Sequence, residues 1–230
     1  MSVPRRRVLV QLASLGVLAA CTKEEALPLD SSARTGDSGR ATGDSGLDSA
    51  DTGDPIDACD SSVFGDPGEC ERYPDDGEGP FYRDDIPERD SLNVWEEEGE
   101  ELVVLIRMLQ ACVPVEGIKV EIWAASQDGP YDMTSEDANM YGYQTTNAEG
   151  IVCFKCVRPP PYRDAGDDEG DWIQAHFHLK IWQGEEVRRV TQIRFADDPY
   201  RDGLAPEEVM HEVEFVTDDL GRMTVDIEMG

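Results

Sequence analysis

From about Leu102 onward the pattern is strand-like, with few long helical periodicities. Short apolar runs of this kind restrict the chain to sheet architectures. "ELVVLIRML" (101–109), "GIKVEIWAA" (117–125), "GIVCFKCV" (150–157) and "VRRVTQIRFA" (187–196) are short, β-branched-rich runs, as are "HEVEFV" (211–216) and "RMTVDIEM" (222–229). The Asn, Glu and Gly of "TTNAEG" suit a hairpin turn before the third of these. The pattern is cleanest in "HFHLKIW" (176–182). There Phe177, Leu179 and Ile181 take one face, and His176, His178, Lys180 and Trp182 the other. Such spacing predicts an all-β fold, an antiparallel β-sandwich with long irregular loops. One short helix is expected at "APEEVM" (205–210), where Pro206 suits a first turn.

The N-terminus has a different character. Arg5, Arg6 and Arg7 precede an apolar run, Val8 to Ala20, that is too short to span a bilayer as a permanent helix. It ends in "LAAC", which resembles a bacterial lipoprotein signal whose cysteine, Cys21, is lipidated. The adjacent arginines also loosely resemble a twin-arginine signal. The Ser/Thr/Gly/Asp repeats that follow bury too little apolar surface to fold. The expected organisation is a signal peptide over 1–20, a disordered acidic linker over 21–57 and one β-sandwich domain over 58–230. The expected location is the exported side of a bacterial cell envelope, held to the membrane only through the lipid on Cys21.

The charge excludes one class of partner. With 50 Asp and Glu against 20 Lys and Arg, the net charge of −30 repels phosphate backbones, so no nucleic-acid partner is expected. Apart from Cys21, the cysteines are Cys59, Cys70, Cys112, Cys153 and Cys156, and export favours disulfides over zinc. Cys59 and Cys70, flanking a short Gly/Pro/Asp loop, are the easiest pair to picture. "CFKC" (153–156) lies in a strand, where residues three apart point to opposite faces, so it does not form a redox pair. Five is odd, leaving one thiol free or paired between chains.

Only three histidines occur, and two of them share a strand face. His176 and His178 lie roughly 7 Å apart at Cα, from a rise of about 3.3 Å per residue, and their imidazoles can converge on one ion. Two isolated histidines on an exposed strand are ordinarily surface residues. Here the opposite face is the apolar one, which leaves this face for a site. The segment just upstream is a long irregular loop of the kind that carries function. That loop holds Tyr162 behind Pro159, Pro160 and Pro161, whose fixed φ makes a rigid arm. A phenol with an ordinary pKa near 10 ligates only a metal acidic enough to remove its proton, and Fe(III) is such a metal.

At these residues the chain resembles the intradiol ring-cleavage dioxygenases. "EGPFY" (78–82) is similar to the family's entry motif, and "VEIWAASQDGPY" (120–131) to a segment that ends on a tyrosine, here Tyr131. "TTNAEGIVCFKCVRPPPY" (145–162) matches a segment that also ends on a tyrosine, here Tyr162. "AHFH" (175–178) matches "AHIH", and "VTQIRFADDP" (190–199) continues the likeness. The resemblance implies a non-haem Fe(III) held by Tyr131, Tyr162, His176 and His178 with a solvent hydroxide. Tyr131 and His176 would be equatorial, Tyr162 and His178 axial. It implies cleavage of a catecholic ring between its two hydroxylated carbons, with incorporation of O2. Tyr162 would take a substrate proton, and Gln192 would lie beside the substrate.

One position departs from the family pattern. Three residues before the first histidine the family carries arginine, which stabilises negative charge on the substrate, and this chain has Ile173; the usual proline is Gln174. Arg158 and Arg163 are the cations near Tyr162 that stand to replace it. The alternative function is a catalytically impaired sandwich that binds catecholates or ferric iron at the envelope. A purely structural surface domain is disfavoured because all four ligand positions are present.

Overall fold

The computed structural model describes residues 57–163, 171–201 and 209–230. The signal, Cys21 and nearly all of the linker lie outside the described residues. So does most of the expected helix at 205–210, whose last residue, Met210, opens a strand instead.

The strand-like runs assemble into two five-stranded sheets and a two-stranded ribbon. In the first sheet β1 (Glu101–Gln110) is central. The strand β12 (Leu220–Glu228) occupies one edge of β1 along most of its length. The other edge is shared by β5 (Ile151–Val157) and, at the far end, by β2 (Val113–Pro114). The short β11 (Glu214–Phe215) adds beyond β12. The second sheet runs β10 (Met210–His211), β9 (Glu186–Phe195), β8 (His176–Gln183), β3 (Ile118–Trp123) and β4 (Tyr141–Thr145). The ribbon pairs β6 (Tyr162–Arg163) with β7 (Trp172–Ile173). Among the described residues 3-10 geometry occurs at Ser61–Val63 and at Val209, the latter within the expected helix.

The all-β sandwich expected from the sequence is therefore present, with two parallel pairings, β1 with β12 and β9 with β10. The β1–β12 pair explains why "ELVVLIRML" is a continuous apolar run rather than an alternating one. A central strand covered on both faces has no solvent side to keep polar, and Leu102 to Leu109 are all buried. Between the sheets Val104, Ile106 and Met108 meet Phe177, Leu179 and Ile181 of β8, Val120 and Ile122 of β3, and Val225 of β12.

The second sheet is covered on its other face too. Segment 73–76 straps the edge of β9: Asp76 N–H donates to Val190 O at 2.9 Å, and Thr191 Oγ1 donates to Pro74 O at 2.7 Å. Segment 77–86 then crosses the outer face, where Phe81, Tyr82 and Ile86 join Trp123, Tyr131 and Tyr141 in a second apolar cluster. His176 and His178, on a face the sequence makes polar, are thereby buried at 4% and 3% exposure.

The disulfides correct one expectation. Cys59 pairs with Cys153 and Cys70 with Cys112, not Cys59 with Cys70. The N-terminal segment runs across the first sheet, so its two cysteines reach different partners, one on β5 and one at the β1–β2 turn. Sequence separations of 94 and 42 remove more freedom from the unfolded chain than a short local loop would. Cys156 is the free thiol among the described residues; it is buried in the core, on the opposite face of β5 from Cys153. Replacing both Cys59 and Cys153 with Ser is expected to cost about 2–4 kcal/mol of stability, read from urea unfolding. The Cys156 peptide should resist alkylation until the protein is denatured. Labelling of native Cys156 would contradict its placement in the core.

Candidate metal centre

The second sheet builds the site by strand register. On β8, burial of Phe177, Leu179 and Ile181 sends His176 and His178 to the outer face, and their Nε2 atoms stand 3.0 Å apart. Across β3 the partner of His178 is Trp123, whose ring stacks on the imidazole at 5.0 Å and 4°. Across β9 the partners of His176 and His178 are Arg194 and Gln192. Opposed residues share a face, so four side chains of the two strands line one floor.

Tyr131 is delivered by the loop after β3. Ser126 closes a turn on Pro130 O with both its N–H and its hydroxyl, at 3.0 and 2.8 Å, and Gly129 takes the positive φ this turn needs. The next residue, Asp132, is buried and accepts from the amide of Asn139 and from the amide and hydroxyl of Ser135. Arg83 donates to its carbonyl at 2.8 Å. The Tyr131 phenol so fixed lies 3.2 Å from His176 Nε2, with Phe81 stacked on its ring at 4.4 Å. Tyr162 opens β6, held opposite Ile173. Its ring stands 5.9 Å edge-on from Tyr131 and 6.0 Å from His176. All four tyrosines and histidines named from the sequence therefore meet in one place, and Gln192 adjoins them.

The electrostatics suit a cation. His176 Nδ1 is 2.6 Å from Gln174 O, which can only accept, so the proton sits on Nδ1 and the Nε2 lone pair faces the cluster. Burial lowers His176 to about 4, against the raising influence of the Gln174 carbonyl and with help from the charge of Arg194. Burial lowers His178 to about 2, with His176 and Arg194 acting in the same direction. Both rings are thus neutral, the form that ligates. Burial, and then the neighbouring Tyr162, push the Tyr131 phenol far above its ordinary value, so it ionises only where a nearby cation offsets the burial. The spacing fits as well. Two donors at about 2.1 Å from one ion lie roughly 3.0–3.4 Å apart for angles of about 90–110°, and the N–N and O–N distances are 3.0 and 3.2 Å. The buried His178 Nδ1 has no hydrogen-bond partner among the described residues, so this ring is oriented by Trp123 rather than by an acceptor.

Several residues around the cluster were not singled out from sequence. Gly79, at φ 73°, runs so close to His178 that a Cβ there would lie 3.1 Å from the imidazole Cε1, which explains the glycine of "EGPFY". Glu78 pairs with Lys180 at 2.6 Å, and Tyr82 donates to the buried Glu121 at 3.0 Å. Asp198 accepts from the Ala175 amide at 2.8 Å and so ties "ADDP" to the entrance of β8. The cations expected near Tyr162 are turned elsewhere: Arg158 forks onto Asp197 and lies over Phe195, and Arg163 lies over Trp172. The arginine that shares the histidine face is Arg194. Its signal was present in strand parity, two residues after Gln192. A separate grouping of Cys70, Cys112 and Glu228 is not a metal site, since the sulfurs are joined and the carboxylate accepts from Ala111, Cys112 and Gly230. A cavity of about 680 Å³ on the first sheet, walled by Glu96, Glu97, Glu98 and Glu101, also lies away from the cluster.

Residues 78–218, more than half of the chain, match the protein family described as Dioxygenase. The chain belongs to the intradiol ring-cleavage dioxygenase family. It is 30% identical over 139 residues to a hydroxyquinol 1,2-dioxygenase of Rhizobium sp. (strain MTP-10005), covering 53% of this chain and 47% of that protein. It is 27% identical over 111 residues to the intradiol ring-cleavage dioxygenase prcA of Aspergillus niger, covering 43% and 35%. The chain thus spans less than half the length of these curated relatives. Among solved structures, the dioxygenase domain of a carbohydrate-binding fusion protein from Streptomyces sp. SirexAA-E superposes with a TM-score of 0.59 at 28% identity, over 69% of this chain and 97% of that one. Catechol 1,2-dioxygenase from Pseudomonas arvilla C-1, at 22% identity and a TM-score of 0.60 over 68% and 61%, shares the fold.

Two buried imidazoles and a third, partly buried one impose a pH dependence, since desolvation also lowers His211 to about 4. Unfolded histidine titrates near 6.5, so below that pH the unfolded chain binds protons that the folded chain refuses. Stability present above about pH 6.5 is therefore lost as pH falls toward the folded values. Urea titrations of metal-free protein should show a fall of several kcal/mol between about pH 7 and about pH 4.5. A flat profile across that window would mean that the histidines charge without cost.

Proposed function

We propose that this protein is a non-haem Fe(III)-dependent intradiol dioxygenase that opens a catecholic ring between its hydroxylated carbons. The observation that carries the reading is the convergence of two imidazole Nε2 atoms and a buried phenol at 3.0 and 3.2 Å, with Tyr162 beside them. In this reading Tyr131, Tyr162, His176 and His178 hold the metal. Relatives named for hydroxyquinol and catechol support a catecholic substrate.

Bound there, Fe(III) would supply the positive charge that favours ionised phenols and draws electron density from a catecholate. The residues do the rest. Tyr131, buried beneath Phe81, stays in place as an anionic ligand. Tyr162, half-buried on its proline-braced arm, would help hold the metal and would accept a proton from the incoming catechol at its phenolic oxygen. The two histidines remain neutral, His176 fixed by the Gln174 carbonyl and His178 by the Trp123 ring. Phe81, Trp123 and the Gly79 backbone keep water from the floor of the site. One catechol and one O2 are consumed. The bond between the two hydroxylated carbons breaks, and both oxygens enter the resulting cis,cis-muconate-type dicarboxylate.

A second reading rests on Ile173. Where the family pattern has arginine, this chain puts an aliphatic residue across from Tyr162, which favours a module that binds catecholates or iron without turnover. The N-terminal pattern, together with two disulfides of the kind formed outside a reducing cytosol, supports an envelope location with a lipid anchor on Cys21.

The visible spectrum of iron-loaded protein tests both readings. Tyrosinate-to-Fe(III) charge transfer should give a burgundy band that shifts on adding catechol, with O2 uptake. A colourless iron-loaded protein would remove the site assignment, and a shift without O2 uptake would favour the binding module. His178→Ala is expected to lose iron. Tyr162→Phe should retain part of the iron but shift slowly with catechol, because its proton acceptor is gone. Unchanged iron content in His178→Ala would count against its role as a ligand.

A further inference from the structure

Alternation along β9 places Ile193 and Phe195 in the core and Gln192 and Arg194 on the face of the histidines. Arg194 is the direct cross-strand partner of His176, and only 12% of its side chain is exposed. Its guanidinium is fully committed at its tip. Nη1 donates to Gln174 Oε1 at 3.0 Å, while Nη2 donates to Gln192 Oε1 at 2.6 Å and to Asp76 Oδ2 at 3.0 Å.

This arrangement settles the orientation of both amides. A guanidinium has donors only, so each glutamine gives it a carbonyl oxygen and turns its NH2 group away. Gln174 is almost wholly buried, and its Nε2 has no acceptor among the described residues; the Arg194 Nε is likewise buried without one. Gln174 also carries the carbonyl that accepts from His176 Nδ1, and Gln192 faces His178 across the strands. Buried donors without acceptors are costly unless a ligand completes them. These adjoin the cluster of histidines and tyrosines, and among the described residues the carboxylate paired with Arg194, that of Asp76, lies toward solvent with its side chain 39% exposed. A ligand that satisfies donors at this place offers acceptor oxygen, and beside a guanidinium anionic oxygen is held most strongly.

We propose that Arg194 is a positioning residue of this site: it supplies the positive charge missing at Ile173 and holds the Gln174 and Gln192 amides as donors toward the oxygens of a bound catecholate. The inference rests on the ferric catecholate reading above. It accounts for two departures at once, because Gln174 stands where the family pattern has proline, and a proline offers no side-chain amide for Arg194 to hold.

The test is anaerobic titration of iron-loaded wild type, Arg194→Gln and Arg194→Lys with catechol, read from the shift of the charge-transfer band. A wild-type protein without the band removes the ferric reading, and this inference with it, before any variant is compared. With the band present, Arg194→Gln should keep iron and the unliganded spectrum while binding catechol about tenfold or more weakly, by loss of charge-assisted hydrogen bonds. Arg194→Lys, which keeps the charge but cannot fork between two amides, should fall between the two. Wild-type affinity in either iron-bearing variant overturns the proposal. Loss of iron from both variants also overturns it, since Arg194 would then serve only the framework.

Discussion

The site depends on one constraint, the burial of alternate residues of β8. Burying Phe177, Leu179 and Ile181 is worth roughly 1.5–3 kcal/mol each, and a slip of one residue would exchange them for His176, His178 and Lys180. No contact among the histidines competes with that sum. The imidazoles are thus placed by the core beneath them, and everything around them adjusts. Trp123 meets His178 because β3 pairs in the same register, and segment 77–86 covers both because Gly79 has no side chain to prevent it.

The hairpin to β9 adds a second condition. Pairing from its turn matches Trp182 with Val187, but Ile181 with Arg189, so β9 holds one inserted residue at the bulge. Without that insertion each residue of β9 beyond it would face the other way, and Ile193 rather than Arg194 would lie opposite His176. A local irregularity, far from the cluster, therefore sets which side chains accompany the histidines. Asp76 then reaches Arg194 because the strap formed by segment 73–76 is pinned to the edge of β9.

This explains what could be read from the chain alone. The strands, the shared face of His176 and His178, and the rigid arm under Tyr162 are local properties, visible as alternation and proline spacing. Tyr131 is marked only by motif likeness, since a tyrosine after Gly-Pro carries no physical mark of its own. The disulfides were not legible, because the partners of Cys59 and Cys70 depend on the path of the N-terminal segment across the first sheet. Arg194 is hidden in the sequence for a related reason. Counting residues from Gln192 gives its face, but its value to the site comes from a register that only the paired strands and their bulge determine.

The fate of the missing arginine shows how a site can move a charge without moving its metal donors. At Ile173 a cation would project from the ribbon that carries Tyr162, on the opposite side of His176 in sequence from β9. From β9 a cation can reach the same neighbourhood only by crossing the sheet face, and a lone guanidinium there would be poorly solvated. Gln174 and Gln192 make the crossing feasible by accepting from it, while Asp76 balances the charge from the edge. Delivered through two amides, that charge becomes directional: the carbonyls face the arginine and the NH2 groups face away. A conformationally free arginine would offer attraction, whereas this clamp offers fixed donors, and fixed donors need no reorganisation when negative charge develops on a ligand.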